Sequence, residues 1–473
     1  MKLKNLAILA LVCVNLQAQE TAASDEAIAA NAPSKITISE AVEMAIKNNL
    51  SLESERLTLT ARRQFSDMSW NQFIPTVDVG GALLRFNNTP SGIGDMLEPL
   101  FGAMGMPLPP GTFPAQPQWR LAGSLTIALN FNFAMIEEMN RLRLDYEKGL
   151  VSFERAKSQL ERDVRKSYHN MLLLQENIAL LRGSYANMER QVQMAQANYN
   201  AGLAPELFLL QARVARENMR PVIDQVENGL RLSMAQFAMF LGLPYDTEFE
   251  LVAETNTNIF IPLDASEIIS MSTGGRPEIL ELRQDILSLN SIRKSTWYRL
   301  YTPTLSLSWN ADPTFSGDPW KDSWFNSGSW NQSQGMFRIA LGFRLNGLFP
   351  FTPENQNIKT LDHQLTLLNM GLAQMVNGTQ IEVYNNVLSL ERTRLNAQAQ
   401  AQTVSLAEQS YRLTEEAYRA GLQDYFQVQN AEQSLRQARV QLLEQQFNYL
   451  NGIIDLEYSI GVPFGTLSTR RGQ

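Results

Sequence analysis

The sequence predicts a mixed α/β membrane protein in which one unit of short strands and long helices occurs twice. Three observations predict this class: a doubled order of short motifs, four segments in which apolar and polar residues alternate, and two long stretches without proline. A secretion signal at the amino terminus indicates in addition that the chain is exported.

Composition fits an ordered protein and excludes several classes. Of the 473 residues, 44% are hydrophobic and 19% are charged, values that exclude a disordered acidic or basic chain. The formal net charge of -8 provides no basic surface for nucleic acid. Mean hydropathy is -0.21, which excludes an ordinary polytopic helical membrane protein. The exported chain therefore either stays soluble or enters a membrane as a β-barrel.

Residues 1–18 have the pattern of a signal peptide. Lys2 and Lys4 supply positive charge, an apolar stretch follows, and Ala18 is a small residue suited to cleavage. Cys13, the only cysteine, lies inside this segment, and the sequence leaves open whether it is lipidated. If the segment is removed at Ala18, the mature chain has no cysteine for a disulfide or a thiolate site.

Four motifs occur twice in the same order, which predicts an internal duplication. The paired segments are 48–52 and 275–279, 74–77 and 302–305, 199–203 and 418–422, and 241–244 and 460–463. We predict a first repeat at 36–244 and a second at 264–465, each with a helix, two strands and a long helix pair. A linker at 245–263 joins them, and 466–473 form a carboxy-terminal tail.

Two proline-free stretches predict unusually long helices. No proline occurs between Met135 and Ala204, or from Glu354 to Val462. A proline inside a helix costs about 3 kcal/mol, so long helices need such gaps. Residues 137–200 would reach roughly 95 Å as one helix. Small and apolar residues recur every three or four positions, which favours helices packed side by side as coiled coils.

Alternating segments predict strands with one apolar and one polar face. They lie at 76–83, 124–133, 304–310 and 337–346. In a soluble sandwich the apolar face would meet a second sheet, whereas in an outer-membrane barrel it would meet lipid. The signal peptide and the long helices favour the barrel. Four strands cannot close a membrane barrel, so the chain would have to assemble with other copies.

Residues typical of enzymes and metal sites do not form a recognisable pattern. His169 and His363 have no neighbouring ligands at metal spacing, and we interpret both as solvated helix residues. The sequence has no nucleophile motif of the Gly-x-Ser-x-Gly type. We therefore expect no enzyme activity, no metal site and no cofactor.

The duplicated plan resembles the TolC outer-membrane efflux family over about residues 36–465. The resemblance is carried by the doubled motif order, by the Tyr-x-x-Gly turns at Tyr199 and Tyr418, and by the Gly-x-Pro repeat ends at Gly242 and Gly461. It implies a homotrimer in the outer membrane with a shared 12-stranded β-barrel, four strands per chain. It also implies a long periplasmic tunnel of coiled-coil helices.

The resemblance implies a transport function rather than catalysis. The chain would be the outer-membrane channel of a tripartite efflux system or of a type I secretion system. Its partners would be a periplasmic membrane-fusion adaptor, an inner-membrane pump of the RND or ABC type, and outer-membrane lipid, but not nucleic acid. The alternative is a secreted or periplasmic coiled-coil protein with a structural or interaction role. The substrate stays open.

Site residues follow from the resemblance, position by position. The turns that would dock the adaptor contain Tyr199, Gly202, Leu203, Gly421 and Leu422. The residues that would form the periplasmic gate are Tyr418, Gln423, Gln427, Asn430 and Phe208. Only Tyr418 matches the family residue, because the family has an arginine or aspartates at the other four positions. We therefore expect a constriction held by packing and neutral hydrogen bonds, and weak block by divalent cations.

Overall fold

The computed structural model describes residues 35–86, 94–106, 118–252, 275–316, 330–331, 335–420 and 422–469, together with Pro109, Phe260, Ser266 and Ile268. The predicted signal peptide with Cys13, most of the predicted linker, and Gly421 lie outside these residues.

Helices account for most of the described chain, and two of them are 67 residues long. The helices are α1 (Ile38–Asn48), α2 (Leu50–Asp67), α3 (Gly94–Ala103), α4 (Ala134–Asn200), α5 (Glu206–Phe240), α6 (Pro277–Tyr301), α7 (Pro353–Arg419), α8 (Tyr425–Ile460) and α9 (Thr466–Thr469). The two longest, α4 and α7, fall on the proline-free stretches, as predicted. Within the described ranges, no helix is both long and apolar enough to cross a membrane.

Polar caps fix where several helices begin. Thr37 starts α1 with a capping box, in which its hydroxyl accepts from the Glu40 N–H at 3.3 Å while the Glu40 carboxylate accepts from the Thr37 N–H at 2.8 Å. Asp424 caps α8, since its carboxylate accepts from the Gln427 N–H at 3.0 Å. These side chains satisfy backbone donors that have no partner inside a helix.

The glycines that follow α5 and α8 both have a left-handed backbone and lie close to another segment of backbone. Gly242 follows α5 with φ +71°, and a Cβ at this position would lie 2.5 Å from the Asn48 carbonyl oxygen. Gly461 follows α8 with φ +72°, and its Cβ would lie 2.9 Å from the Gly275 carbonyl oxygen. Both positions therefore require a residue without a side chain, because the backbone is left-handed and another backbone lies against it.

The strands form one main antiparallel sheet and one small parallel pair. They are β1 (Lys35–Ile36), β2 (Thr76–Arg85), β3 (Trp119–Phe131), β4 (Glu250–Leu251), β5 (Thr304–Ala311), β6 (Thr314–Ser316), β7 (Trp330–Asn331) and β8 (Gly335–Gly342). The main sheet has the order β2–β3–β5–β8, and β6 and β7 extend it beside β3. Because β6 resumes β5 after Asp312–Pro313 and β7 precedes β8, the sheet consists of four antiparallel runs. The small pair joins β1 to β4.

Register places apolar residues on one face across the main sheet. Ile127 lies opposite both Val77 and Trp309, and Trp309 lies opposite Phe337. The next row joins Leu129, Leu307 and Ile339, and the other face carries Thr126, Asn130, Ser306, Ser308 and Asn310. The predicted two-residue alternation is therefore present in all four runs.

The fourth strand is shorter than the alternation predicts. It ends at Gly342, and Leu345–Leu348 form a 3-10 turn instead of continuing the strand to residue 346. Gly347 packs against α6, where its Cβ would lie 2.9 Å from the Leu300 side chain. Gly347 therefore lies against the helix and not in the sheet.

The chain divides into two compact units, each with residues from both predicted repeats. Unit 1 comprises Met1–Thr60, Lys148–Arg283 and Met370–Gln473, and unit 2 comprises Ala61–Glu147 and Gln284–Asn369. Unit 2 contains the main sheet. A core of unit 1 surrounds Tyr168, whose hydroxyl lies 2.8 Å from the carbonyl oxygens of Ile36 and Val252 and so ties the small sheet to α4.

A buried carboxylate holds the last described segment onto unit 1. Glu457 accepts from the Gly465 N–H at 2.9 Å and from the Leu467 N–H at 2.8 Å. Leu467 is itself buried in a cluster with Val387, Tyr449 and other residues. Burial raises the pKa of Glu457, and the two N–H groups act in the opposite direction.

Candidate functional site

Both turns between the long helices present an exposed leucine. In the first, Leu203 donates its N–H to the Asn198 carbonyl at 2.8 Å, and Gly202 has φ +72° with open space where a Cβ would be. In the second, Leu422 donates its N–H to the Ala417 carbonyl at 2.9 Å. Each leucine is 79% exposed. Tyr199 is partly exposed beside the first turn, so the predicted docking residues that the structure describes lie at one helix-turn end of unit 1.

An aromatic pair fills the interior next to these turns. Tyr418 and Tyr425 are both buried, with ring centroids 6.2 Å apart and an edge-to-face angle of 64°. The remaining buried members of the cluster come from α4, α5 and α8 and are Val192, Ala195, Leu209, Ala212 and Val428. The Tyr418 hydroxyl has no hydrogen-bond partner among the described residues. Within one copy, Tyr418 therefore acts as a packing residue.

The other four predicted gate residues do not join this cluster. Gln423, Gln427 and Asn430 are exposed at the start of α8, and Phe208 is half-buried at the start of α5. Gln427 and Asn430 are three positions apart and share a helix face. All four side chains are uncharged, so these residues would not form a ring of charge beside the helix turns.

A polar chain that sequence reasoning missed links α4 to α7 and α8. The Tyr425 hydroxyl donates to Gln191 Oε1 at 3.2 Å, and Gln191 Nε2 donates to the Tyr411 hydroxyl at 3.5 Å. Burial, with smaller contributions from neighbouring Tyr and Glu side chains, raises the pKa of Tyr425 to about 12. The hydroxyl is therefore protonated at neutral pH and available as a donor.

A second link between α4 and α8 involves a buried charge. Glu432 is only 3% exposed, and its Oε1 accepts from the Ser184 hydroxyl at 2.6 Å. Its Oε2 lies 3.8 Å from Arg436 and has no hydrogen-bond partner in the described part of the chain. A carboxylate that is removed from water is costly unless it is paired, so this site depends on both neighbours.

The two histidines lie in different environments. The described residues contain no cluster of three or more His, Cys, Asp or Glu side chains that could hold a metal ion. His363 is exposed, as predicted, but the prediction for His169 is wrong. The His169 ring lies 6.4 Å from Phe447, and its Nδ1 is buried with no hydrogen-bond partner among the residues that the structure describes. Burial lowers the pKa of His169.

Comparison with known proteins finds one family model and several solved structures that resemble this chain. Residues 41–242 match the family model described as outer membrane efflux protein. The solved structure of CusC aligns with a TM-score of 0.71 and 17% identity over 90% of this chain and 92% of that chain. The CmeC outer membrane channel of Campylobacter jejuni aligns with a TM-score of 0.71 and 15% identity over 92% and 88% of the two chains. The outer-membrane channel OprN aligns with a TM-score of 0.69 and 14% identity over 90% of each chain.

Residues 41–242 therefore match the outer membrane efflux protein family, and the aligned solved structures share the fold of this chain. No curated protein matches it significantly. The matched family and the aligned structures are outer-membrane efflux proteins and channels, which supports an outer-membrane location with the helical part in the periplasm.

The strands of the main sheet connect to helices at one end of the sheet, at Thr76 and Gly342, whereas Arg85 and Trp119 lie at the opposite end. The Arg85 guanidinium lies 5.6 Å from the Trp119 ring, on the apolar face. Aromatic residues at such strand ends are typical of the interfacial girdle of outer-membrane barrels.

Proposed function

We propose that three copies of this efflux protein form one passive duct in a tripartite efflux or type I secretion system. In such a duct the main sheets close into one barrel, the helices form the periplasmic tunnel, and an inner-membrane pump supplies the energy. The observation that carries the proposal is the pair of open edges of the main sheet.

Each outer strand of the main sheet has one unpaired edge. Among the described residues, β2 pairs only with β3 and β8 pairs only with β5. An open edge in lipid leaves backbone N–H and C=O groups without partners, at a cost of several kcal/mol each. Pairing β8 of one copy with β2 of the next removes both edges, and the family supplies the number three. Three copies of four runs give the twelve strands of a closed barrel.

The exposed apolar face supports a membrane position for this sheet. Val79 on β2 and Leu341 on β8 are both largely exposed, and neighbouring strands continue the same face. Such a surface would be unfavourable in water and is the surface that an outer-membrane barrel presents to lipid.

The helix turns support the proposed contact with a periplasmic adaptor. Leu203 and Leu422 occupy equivalent places in the two turns, and both are exposed although they are apolar. Exposed leucines at the tip of a helix pair are suited to packing between the helices of a partner. We assign docking to these two residues together with Tyr199, Gly202 and Gly421.

The closed gate is proposed to depend on neutral contacts. Tyr418 packs on Tyr425, whose hydroxyl is bonded to Gln191. The bond from Tyr425 to Gln191 joins α8 of the second predicted repeat to α4 of the first, so it has to break if these helices separate. The uncharged residues Gln423, Gln427, Asn430 and Phe208 would line the constriction. Divalent cations should therefore block the pore weakly.

Oligomer mass and conductance test the duct directly. The protein is extracted from outer membranes in mild detergent, and its mass is measured before and after heating. A heat-dissociable species near three times the 53.3 kDa chain, which conducts ions in planar bilayers, is the expected result. A soluble monomer without conductance would overturn the proposal and favour a coiled-coil interaction protein.

Paired turn variants test the docking assignment. Leu203→Asp and Leu422→Asp together should abolish efflux in cells while leaving the trimer and its conductance unchanged. Leu100→Asp, an exposed leucine on α3 in the loop between β2 and β3, is the matched control and should retain efflux. Equal losses from both sites would refute docking at the turns.

A further inference from the structure

The two strands with open edges each carry one charge on the polar face of the main sheet. Asp78 on β2 lies opposite Thr126, and Arg338 on β8 lies opposite Ser308. The register through β3 and β5 places these residues on the same face, away from Val77, Ile127 and the other apolar residues. The charges have opposite sign; of the two strands between them, β5 has no charged residue and β3 has only Arg120, near its start.

Neither charge has a partner within the described part of one copy. Both side chains are exposed, and neither Asp78 nor Arg338 forms an ion pair or a side-chain hydrogen bond with another described residue. If β8 of one copy pairs with β2 of the next copy, the basic side chain on β8 and the acidic side chain on β2 lie at the same seam, and their charges are complementary. A second copy of this chain is therefore the partner that these charges fit.

Backbone pairing alone does not determine how β8 and β2 of neighbouring copies align. A shift by one residue would place apolar side chains on the polar face, so it is strongly disfavoured. A shift by two residues preserves both faces and changes only which residues are opposite each other. A side-chain contact between the copies therefore has to favour one register over those shifted by two residues.

Two registers that preserve both faces pair all eight residues of β8 with β2. If Gly342 lies opposite Asp78, then Arg338 lies opposite Ala82, four residues along β2 from Asp78. If Gly342 lies opposite Thr76, then Ile339 lies opposite Val79, and Arg338 lies opposite Gly80 and diagonal to Asp78. Diagonal positions are about 7–8 Å apart, within reach of a long side chain. Gly80 has no side chain that would obstruct the guanidinium group on its way to the carboxylate.

We infer that Asp78 of one copy and Arg338 of the neighbouring copy form an ion pair across the β2–β8 seam, and that this pair selects the register in which the barrel closes. The inference rests on the proposed trimeric duct. The pair occurs at three symmetry-related seams and faces the water-filled interior, so its contribution is expected to fall as salt rises.

Charge reversal tests the pair. Asp78→Arg and Arg338→Asp should each lower the temperature at which the trimer dissociates by about 2–4 °C, because like charges then meet at every seam. The double variant should recover at least half of that shift. Arg344→Asp, just beyond β8, is the matched control and should leave the dissociation temperature unchanged. If the double variant shows no recovery, or if Arg344→Asp has the same effect as Arg338→Asp, the inference is wrong.

Cross-linking tests the register independently. Cys13 is the only native cysteine, so introduced cysteines can be assigned. Val79→Cys with Ile339→Cys should form a disulfide between copies, whereas Val79→Cys with Leu341→Cys should not. Preferential cross-linking of the second pair would overturn the proposed register while the trimer stands. Absence of any trimer in the wild-type protein would instead refute the duct itself.

Discussion

Replacing Gly242 by alanine tests the contact that ends α5. At φ +71° an alanine is strained by about 1–2 kcal/mol, because its Cβ crowds the following carbonyl. That Cβ would also lie 2.5 Å from the Asn48 carbonyl oxygen and 2.8 Å from its carbon. Backbone atoms have to move to relieve this overlap, at a further cost of about 1–3 kcal/mol. The expected loss in the free energy of unfolding is about 2–5 kcal/mol.

Gly202 provides a control with the same backbone conformation and no steric conflict. Its φ is +72°, but nothing lies within 4 Å of the place where a Cβ would be. Gly202→Ala should therefore cost only the backbone strain, about 1–2 kcal/mol. Gly461→Ala, where the nearest atom is 2.9 Å away, should cost more than Gly202→Ala.

Urea unfolding followed by circular dichroism measures these differences. All variants have to be compared at one protein concentration, since assembly shifts apparent stability. The expected order of stability is wild type, Gly202→Ala, Gly461→Ala and Gly242→Ala, from highest to lowest. If Gly242→Ala and Gly202→Ala have the same midpoint, then the contact with Asn48 does not constrain the chain and the reasoning from steric overlap fails.

Three further substitutions have defined outcomes. Because the pKa of His169 is lowered below 6.5, the unfolded chain binds a proton more readily, and stability should fall as pH drops below 6.5. Thermal scans from pH 7 to pH 5 should show a weaker dependence of stability on pH for His169→Gln than for the wild type, and an equal dependence would refute this reasoning. Tyr425→Phe should lower stability by about 1 kcal/mol and increase single-channel conductance, since Gln191 loses its donor; unchanged values would refute that link. Thr37→Ala should cost about 1 kcal/mol in urea unfolding, and a neutral result would show that the capping box is dispensable.

The positions of the long helices and of the strands along the chain were predictable, because they depend on patterns that repeat in the sequence. Proline-free stretches located α4 and α7, and two-residue alternation located the four runs of the main sheet. The end of β8 was not predictable from alternation, since Gly347 leaves the sheet to pack against Leu300 on α6. A contact between distant elements decided that boundary.

The sequence predicted where the candidate site residues lie along the chain, but it did not predict what their side chains contact. The resemblance located both helix turns, but it assigned Tyr418 to a gate without indicating that it packs on Tyr425. The bond from Tyr425 to Gln191 joins residues 234 positions apart, so no local pattern reveals it. His169 was interpreted as solvated because its helix is polar, whereas Phe447 from another helix covers one side of the ring.

The hydrogen bonds of Glu457 determine where this chain can be shortened or extended. A chain that ends at Val462 lacks Gly465 and Leu467, so the buried carboxylate loses two donors, and each loss costs about 1–3 kcal/mol. A purification tag joined after Gln473 keeps both donors in place. A purification tag for this protein should therefore follow Gln473, and a truncation at the carboxy terminus should keep all residues up to Thr469.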